Sequence, residues 1–248
     1  MKNSVGHAPP GRARRSKATG AGQNGSPGGD KLFCPAISAK TYGNEGLLLK
    51  QASFDAAVTG MQIEIKALQD ALANLDEQAF RKAVDLLVSC DRVMTCASGH
   101  SGIAAEKFAH GLCCVDKPAY FMSPAKAIHG GMGGLRKEDC MVMVSRGGKT
   151  KELLPIIDIC KAKKAKLIAL TENMESPLAL AADVVVPMKI EREADKYNMQ
   201  ATASYVATIG LFDALTIGVM EETNYQKEEF ALIHPGGAVG ERLNHKSV

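Results

Sequence analysis

Apolar residues first recur at helical spacing and then collect into short unbroken runs, and that change of rhythm divides the chain. From about residue 46 to 75, Leu49, Phe54, Val58, Met61, Ile65, Leu68 and Leu72 fall three or four apart. That spacing lines one face of a helix roughly seven turns long. Asp76 is placed to cap a second helix with Phe80, Ala83, Leu86 and Leu87 on one face. Beyond it, residues 92–96, 119–122, 140–144, 167–170 and 184–188 are short continuous apolar runs, as expected of strands covered on both faces. Helical patterns follow at 101–114, 150–163, 177–182 and 203–222, and 123–136 reads as a loop. Strand–helix alternation predicts an α/β fold: a three-layer α/β/α sandwich on a five-stranded parallel sheet, preceded by N-terminal helices. In such sheets the ligand lies beyond the carboxyl ends of the strands.

Two of those ends carry small, Gly- and Ser-rich turns. The first is Ser98, Gly99, His100, Ser101, Gly102; the second is Ser145, Arg146, Gly147, Gly148, Lys149, Thr150. A strand that opens into a helix through such a turn presents backbone N–H groups and a helix dipole to an anion. Two of them together predict one phosphorylated ligand held between two loops. The first turn is not a dinucleotide fingerprint: it lacks Gly-x-Gly-x-x-Gly spacing, and no acid ends the second strand to hold a ribose. Ser101 stands where an N-cap hydroxyl would, so it reads equally as a cap or as a phosphate ligand. Arg146 and Lys149 read either as solvated surface or as ligand contacts. A cation just ahead of a helix is unfavourable for the dipole, which favours the second.

Charge and cysteine usage narrow the class. Of the net +3, residues 1–30 hold five basic residues (Lys2, Arg12, Arg14, Arg15, Lys17) against Asp30, a balance of +4, which leaves about −1 for the remainder. The folded part therefore has no bias toward nucleic acid. Residues 1–45, rich in Gly, Pro and Ser at their start, are expected to be a disordered basic tail, with the folded domain at 46–248. No helix-turn-helix pattern stands in the tail, its start lacks the apolar core of a signal peptide, and no apolar run reads as long enough to cross a bilayer. The seven cysteines form no Cys-x-x-Cys. Cys90, Cys96, Cys113, Cys114, Cys140 and Cys160 lie in apolar stretches and read as buried thiols of a reducing, cytoplasmic compartment. No His/Cys cluster has zinc-like spacing, and neither metal nor cofactor is expected.

The two turns resemble the phosphosugar-binding loops of the SIS (sugar isomerase) domain family. Further stretches are similar to its arabinose-5-phosphate isomerase branch: Ser123-Pro-Ala-Lys-Ala-Ile-His-Gly130, Leu170-Thr-Glu-Asn-Met-Glu-Ser-Pro177, Ala181-Ala-Asp-Val184 and, most diagnostic, Phe230-Ala-Leu-Ile-His-Pro-Gly-Gly-Ala-Val-Gly-Glu-Arg-Leu243. The resemblance runs from about 47 to 243. It implies a flavodoxin-like domain, a homotetramer with shared sites, and aldose–ketose interconversion of a sugar phosphate. The paired CBS modules that often follow in that branch are not expected, since the sequence ends at Val248.

The departures bear on mechanism. The branch has Gly-x-Gly-Lys-Ser-Gly in the first loop, where this chain has Ser98 in the middle and His100 for Lys. It has Ser-Asn-Ser-Gly-Glu-Thr in the second, where Arg146, Gly147 and Lys149 stand for Asn, Ser and Glu. Glu-Ala-Cys-Pro-Leu-Gly reads Glu193-Ala-Asp-Lys-Tyr-Asn198, and His-Gly-Asp reads His129-Gly130-Gly131. Of four polar residues tied to catalysis in the branch, Glu193 and His234 remain. Isomerisation needs a base near C2, a donor to the developing enediolate oxygen and help with ring opening. Glu193 and His234 are expected as base and proton shuttle, His129 as a donor to the carbonyl, and His100 in place of the lost ammonium. Lys149 suits a ligand with an added negative group. The alternative is a sugar-phosphate-binding regulatory protein that has lost turnover.

Overall fold

In the computed structural model the described residues are 51–237, 240 and 242. The expected tail, the first residues of the N-terminal helix, His245 and parts of the 230–243 motif lie outside them. Helix α1 (Gln51–Ala73) is followed by α2 (Glu77–Ser89), whose cap is Asp76: its carboxylate accepts from Ala79 N at 2.7 Å, as the sequence predicts. The alternating part comprises β1 (Val93–Cys96), α3 (Gly99–Cys113), β2 (Ala119–Phe121), α4 (Pro124–Ile128), β3 (Cys140–Val144), α5 (Leu154–Lys163), β4 (Lys166–Thr171), α6 (Pro177–Ala181), β5 (Val184–Pro187), α7 (Ala203–Glu222) and α8 (Lys227–Ile233).

All five strands pair in parallel in the order β2-β1-β3-β4-β5, with Val93 opposite both Ala119 and Cys140, Cys140 opposite Lys166, and Ile168 opposite Val184. Alternation along the strands feeds two cores. Val93, Val142, Val144, Ile168 and Val186 pack with α1, α2, α3 and α7, where Phe108 and Phe212 stack at 4.1 Å. Met94, Cys96, Met141, Met143 and Ala169 pack with the layer of α4, α5 and α6. This is the expected three-layer sandwich.

Four expectations need correction. The loop at 123–136 contains α4, capped by Ser123, and a 3-10 turn at Gly131–Gly134. Helix α5 starts at Leu154, not Thr150, because Pro155 has no N–H to bond Lys151 O and the ladder cannot run further back. Helix α7 is apolar enough, and at 20 residues long enough, to span a bilayer by composition. It is apolar on all sides because it packs against α1, α2 and α3. Finally, of the cysteines expected to be buried, Cys113 is exposed, with Sγ directed to Ala119 O at 3.1 Å, and Cys90 and Cys114 are only half-buried; Cys96, Cys140 and Cys160 are buried, and all six described cysteines are free thiols.

Candidate functional site

The parallel sheet places five loops at one end, and three of them close on each other. The β1–α3 turn is short. Ser98, not Ser101, occupies the N-cap position, and Gly99 opens the helix at φ 59°, a left-handed conformation that suits glycine. Ser101 falls in the first turn, where helical N–H groups have no intrahelical partner. A side chain at Gly102 would meet Ala97 O at 2.8 Å, so glycine lets α3 approach β1.

The second loop is wired internally and to its neighbour. Ser145 Oγ lies 2.8 Å from Thr150 Oγ1 and accepts from Gly148 N at 3.1 Å. Thr171 Oγ1 and Glu172 N both donate to Arg146 O, at 2.9 and 3.0 Å, and Leu178 N donates to Gly148 O at 3.3 Å. Gly147 is exposed, and Gly148, at φ 64°, sits against Ser176. The Arg146 guanidinium donates to Glu172 Oε2 at 3.0 Å and to Glu193 Oε1 at 3.2 Å. Its charge is therefore already paired, which the sequence did not disclose. Lys149 is exposed at the tip of the loop.

Glu193 is the hub of the β5–α7 loop. Only 3% exposed, it accepts at Oε2 from Thr202 N (3.0 Å), Thr202 Oγ1 (3.3 Å) and Ser204 N (3.1 Å), while Oε1 holds Arg146. Burial acts to raise its pKa. The Ser204 side chain, the Thr202 and Ser204 N–H groups and Arg146 outweigh burial, and the carboxyl rests below the ordinary glutamate value. The same loop is tied by Asp195, which accepts from the N–H groups of Tyr197, Met199 and Gln200, each at 2.8 Å.

His100, Ser101, Arg146, Ser204, Tyr205 and Thr208 line a small crevice among these loops. His100 is exposed, edge-on to Tyr205 with ring centroids 6.3 Å apart, and the Gln200 side-chain nitrogen lies 3.3 Å from its Nε2. His129 follows α4 at the edge-strand side of the sheet and is exposed. His234 ends α8, stacked on Phe230 at 3.8 Å, with Nδ1 donating to Phe230 O at 2.9 Å. Among the described residues no hydrogen bond or ion pair joins His129 or His234 to Glu193 or His100. Sequence reasoning missed Glu172, Asp195, Thr202, Ser204 and Tyr205. Glu172 and Asp195 carried a signal, inside the 170–177 and 193–198 stretches. The larger groove between α2 and α7, lined by Phe80, Val84, Val88 and Gly218, lies away from the strand ends.

The SIS domain family model matches residues 86–218, which takes in both Gly/Ser loops and the Glu193 hub. The chain belongs to the SIS domain family. Among its relatives are the arabinose 5-phosphate isomerase KdsD of Pseudomonas aeruginosa, 36% identical over 73% of this chain and 56% of that protein, and the arabinose 5-phosphate isomerase GutQ of Escherichia coli K12, 37% identical over 75% of this chain and 59% of that protein. This SIS chain thus spans under two thirds of the length of either. Two solved structures share the fold. One is a candidate sugar-phosphate isomerase from Listeria monocytogenes, 40% identical, TM-score 0.74, covering 76% of this chain and all of its own. The other is an Escherichia coli CFT073 protein in complex with arabinose 5-phosphate, 26% identical, TM-score 0.71, covering 75% of this chain and all of its own.

Proposed function

We propose that the protein is a sugar-phosphate aldose–ketose isomerase, with arabinose 5-phosphate and its ketose partner as the first substrates to test. The observation that carries this is the 36–37% identity to arabinose 5-phosphate isomerases, joined to two Gly/Ser loops at the carboxyl ends of adjacent strands β1 and β3. In this reading the phosphate rests on the first turn of α3, with Ser98, Gly99 and Ser101, and on the loop of Ser145, Gly147, Gly148, Lys149 and Thr150. The sugar reaches into the crevice of His100, Arg146 and Tyr205. Removal of the C2 proton leaves an enediolate across C1 and C2; its return to C1 gives the ketose. His100, His129 and His234 are the candidates for proton transfer and ring opening, beside the buried Glu193 carboxylate.

The reading includes a homotetramer with shared sites in a reducing cytoplasm. In support of assembly, the outer face of α1 exposes Met61 at 64%, Ile65 at 57% and Leu72 at 73%, more apolar surface than one isolated helix face usually presents. His234, without a contact to the crevice in its own subunit among the described residues, is then placed to serve a neighbour. The free thiols fit a reducing compartment.

Deuterium exchange at C2 in D2O, followed by NMR over a panel of aldose and ketose phosphates, tests the reaction. Incorporation with a pentose phosphate is expected. No exchange with any member, while a sugar phosphate still raises the melting temperature, would replace the enzyme with a binding protein.

A further inference from the structure

We infer that Glu193 is an anchor in this chain rather than the base, that Arg146 is the positioning residue holding it so, and that the C2 proton is taken by His100. The inference rests on the isomerase reading above. Both Glu193 oxygens are engaged: Oε2 by three donors of the α7 entrance, Oε1 by Arg146. Arg146 simultaneously holds Glu172, so one guanidinium ties together the loops after β3, β4 and β5. A carboxylate with four donors is stabilised as the anion: Oε2 is filled by its three donors and Oε1 is turned to the Arg146 guanidinium.

Three ionisable side chains line the crevice: Arg146, Tyr205 and His100. A guanidinium has donors only and a phenol is first a donor, whereas a neutral imidazole carries one ring nitrogen with a free lone pair. The Gln200 amide nitrogen is a donor only, so His100 Nε2 accepts from it and carries the lone pair. A substrate that displaces the Gln200 amide meets that lone pair. His100 Nε2 takes the C2 proton; the C–H electron pair forms the C1=C2 bond; the carbonyl pair moves onto O1, which takes a proton from water. The C1=C2 pair then takes the proton back from His100 at C1, the C2 hydroxyl gives its proton to water, and its O–H pair forms the C2 carbonyl of the ketose. The groups facing His100 are Tyr205 from α7 and Gln200 and Arg146 from the loops, with Glu193 and Glu172 behind Arg146.

The test compares C2 exchange on arabinose 5-phosphate in the full chain, Glu193→Gln and His100→Gln. His100→Gln is expected to lose about 10²- to 10⁴-fold, while melting temperature and the shift induced by inorganic phosphate persist. Glu193→Gln keeps exchange to within about tenfold, short of the loss a missing base gives. Exchange intact in His100→Gln, or lost to base-removal levels in a stably folded Glu193→Gln, overturns the assignment. If the unaltered protein exchanges no sugar phosphate, the isomerase reading and the base role fall together. The anchor is read separately, by the ¹³C shift of the Glu193 carboxyl against pH: its midpoint rises in Arg146→Gln, and an unmoved midpoint overturns the positioning role of Arg146.

Discussion

Replacing Gly148 by alanine tests how tightly the second loop is built. The residue sits at φ 64°, where a Cβ costs about 1 kcal/mol. The added methyl would overlap the Ser176 side chain and lie 3.1 Å from Thr171 Oγ1. Ser176 is 0% exposed and caps α6 by accepting from Ala179 N, so it cannot swing into solvent without losing a cap worth about 1 kcal/mol. Nor can the loop drift, because Gly148 N donates to Ser145 O at 2.9 Å and Leu178 N donates to Gly148 O at 3.3 Å. Overpacking of this kind adds about 1–3 kcal/mol. The contributions share atoms and do not sum fully, so the expected loss is about 3 kcal/mol. With an m-value of about 2–3 kcal/mol/M, the urea midpoint falls by about 1–1.5 M at fixed protein concentration. Gly147 is the control: nothing lies within 4 Å of its would-be Cβ and its φ is not left-handed. Gly147→Ala should stay within about 0.5 kcal/mol. Equal effects at the two glycines, or a loss under about 1 kcal/mol at Gly148, would refute the packing argument.

Three further outcomes are expected. Because Glu193 rests below the ordinary glutamate value of 4.5, the folded state binds its proton less tightly than the unfolded chain. Its contribution is complete above that pH and is lost as the pH falls through the folded value, so Glu193→Gln flattens the acid limb of urea midpoint against pH; an unchanged limb counts against the buried network. Met61→Lys and Leu72→Lys, at 64% and 73% exposed positions, should cost a lone subunit under about 0.5 kcal/mol yet lower the assembled mass by light scattering; an unchanged mass removes α1 from the interface. Mixed oligomers of His234→Ala and His100→Gln subunits should recover exchange that neither variant shows alone, and no recovery means that His234 does not act across subunits.

The sequence was most legible where one physical signal dominated. Strand β3 and helix α7 begin and end where their apolar runs predict, because burial on both sides leaves nothing to compete with the pattern. It was least legible in short helices. Helix α4 is five residues long, too brief for periodicity, and its Ser123 cap followed by Pro124 was the available clue. Helix α8 announces itself by a capping box, Gln226 with Glu229, and not by an apolar face. In the site, the glycines and hydroxyls of both loops could be read locally. The ion network could not: Arg146 and Glu193 are 47 residues apart, and Glu193 lies in a charged run whose neighbours Lys189, Glu191 and Arg192 are exposed. Only the fold turns that one acid inward.

The substitutions that set this chain apart from the isomerase branch it resembles read together as one rearrangement. Asn replaced by Arg146 beside a buried carboxylate supplies the fourth donor to Glu193 and occupies Oε1. With an asparagine there, Oε1 would lack its cationic partner, and the buried carboxyl would be the more basic for it. Lys replaced by His100 removes an ammonium from the first turn of α3, where the helix dipole disfavours it, and puts an imidazole in its place. With His100 as the inferred base, the cation moves from helix to loop and the proton-transfer group from loop to helix. On the same assignment Lys149 stands where the branch has a glutamate that this reaction would no longer use, and its exposed ammonium is left to meet the ligand's anionic end. On this account the altered loops describe a site whose roles have been exchanged between residues, which is why the loss of two familiar polar groups need not mean the loss of turnover.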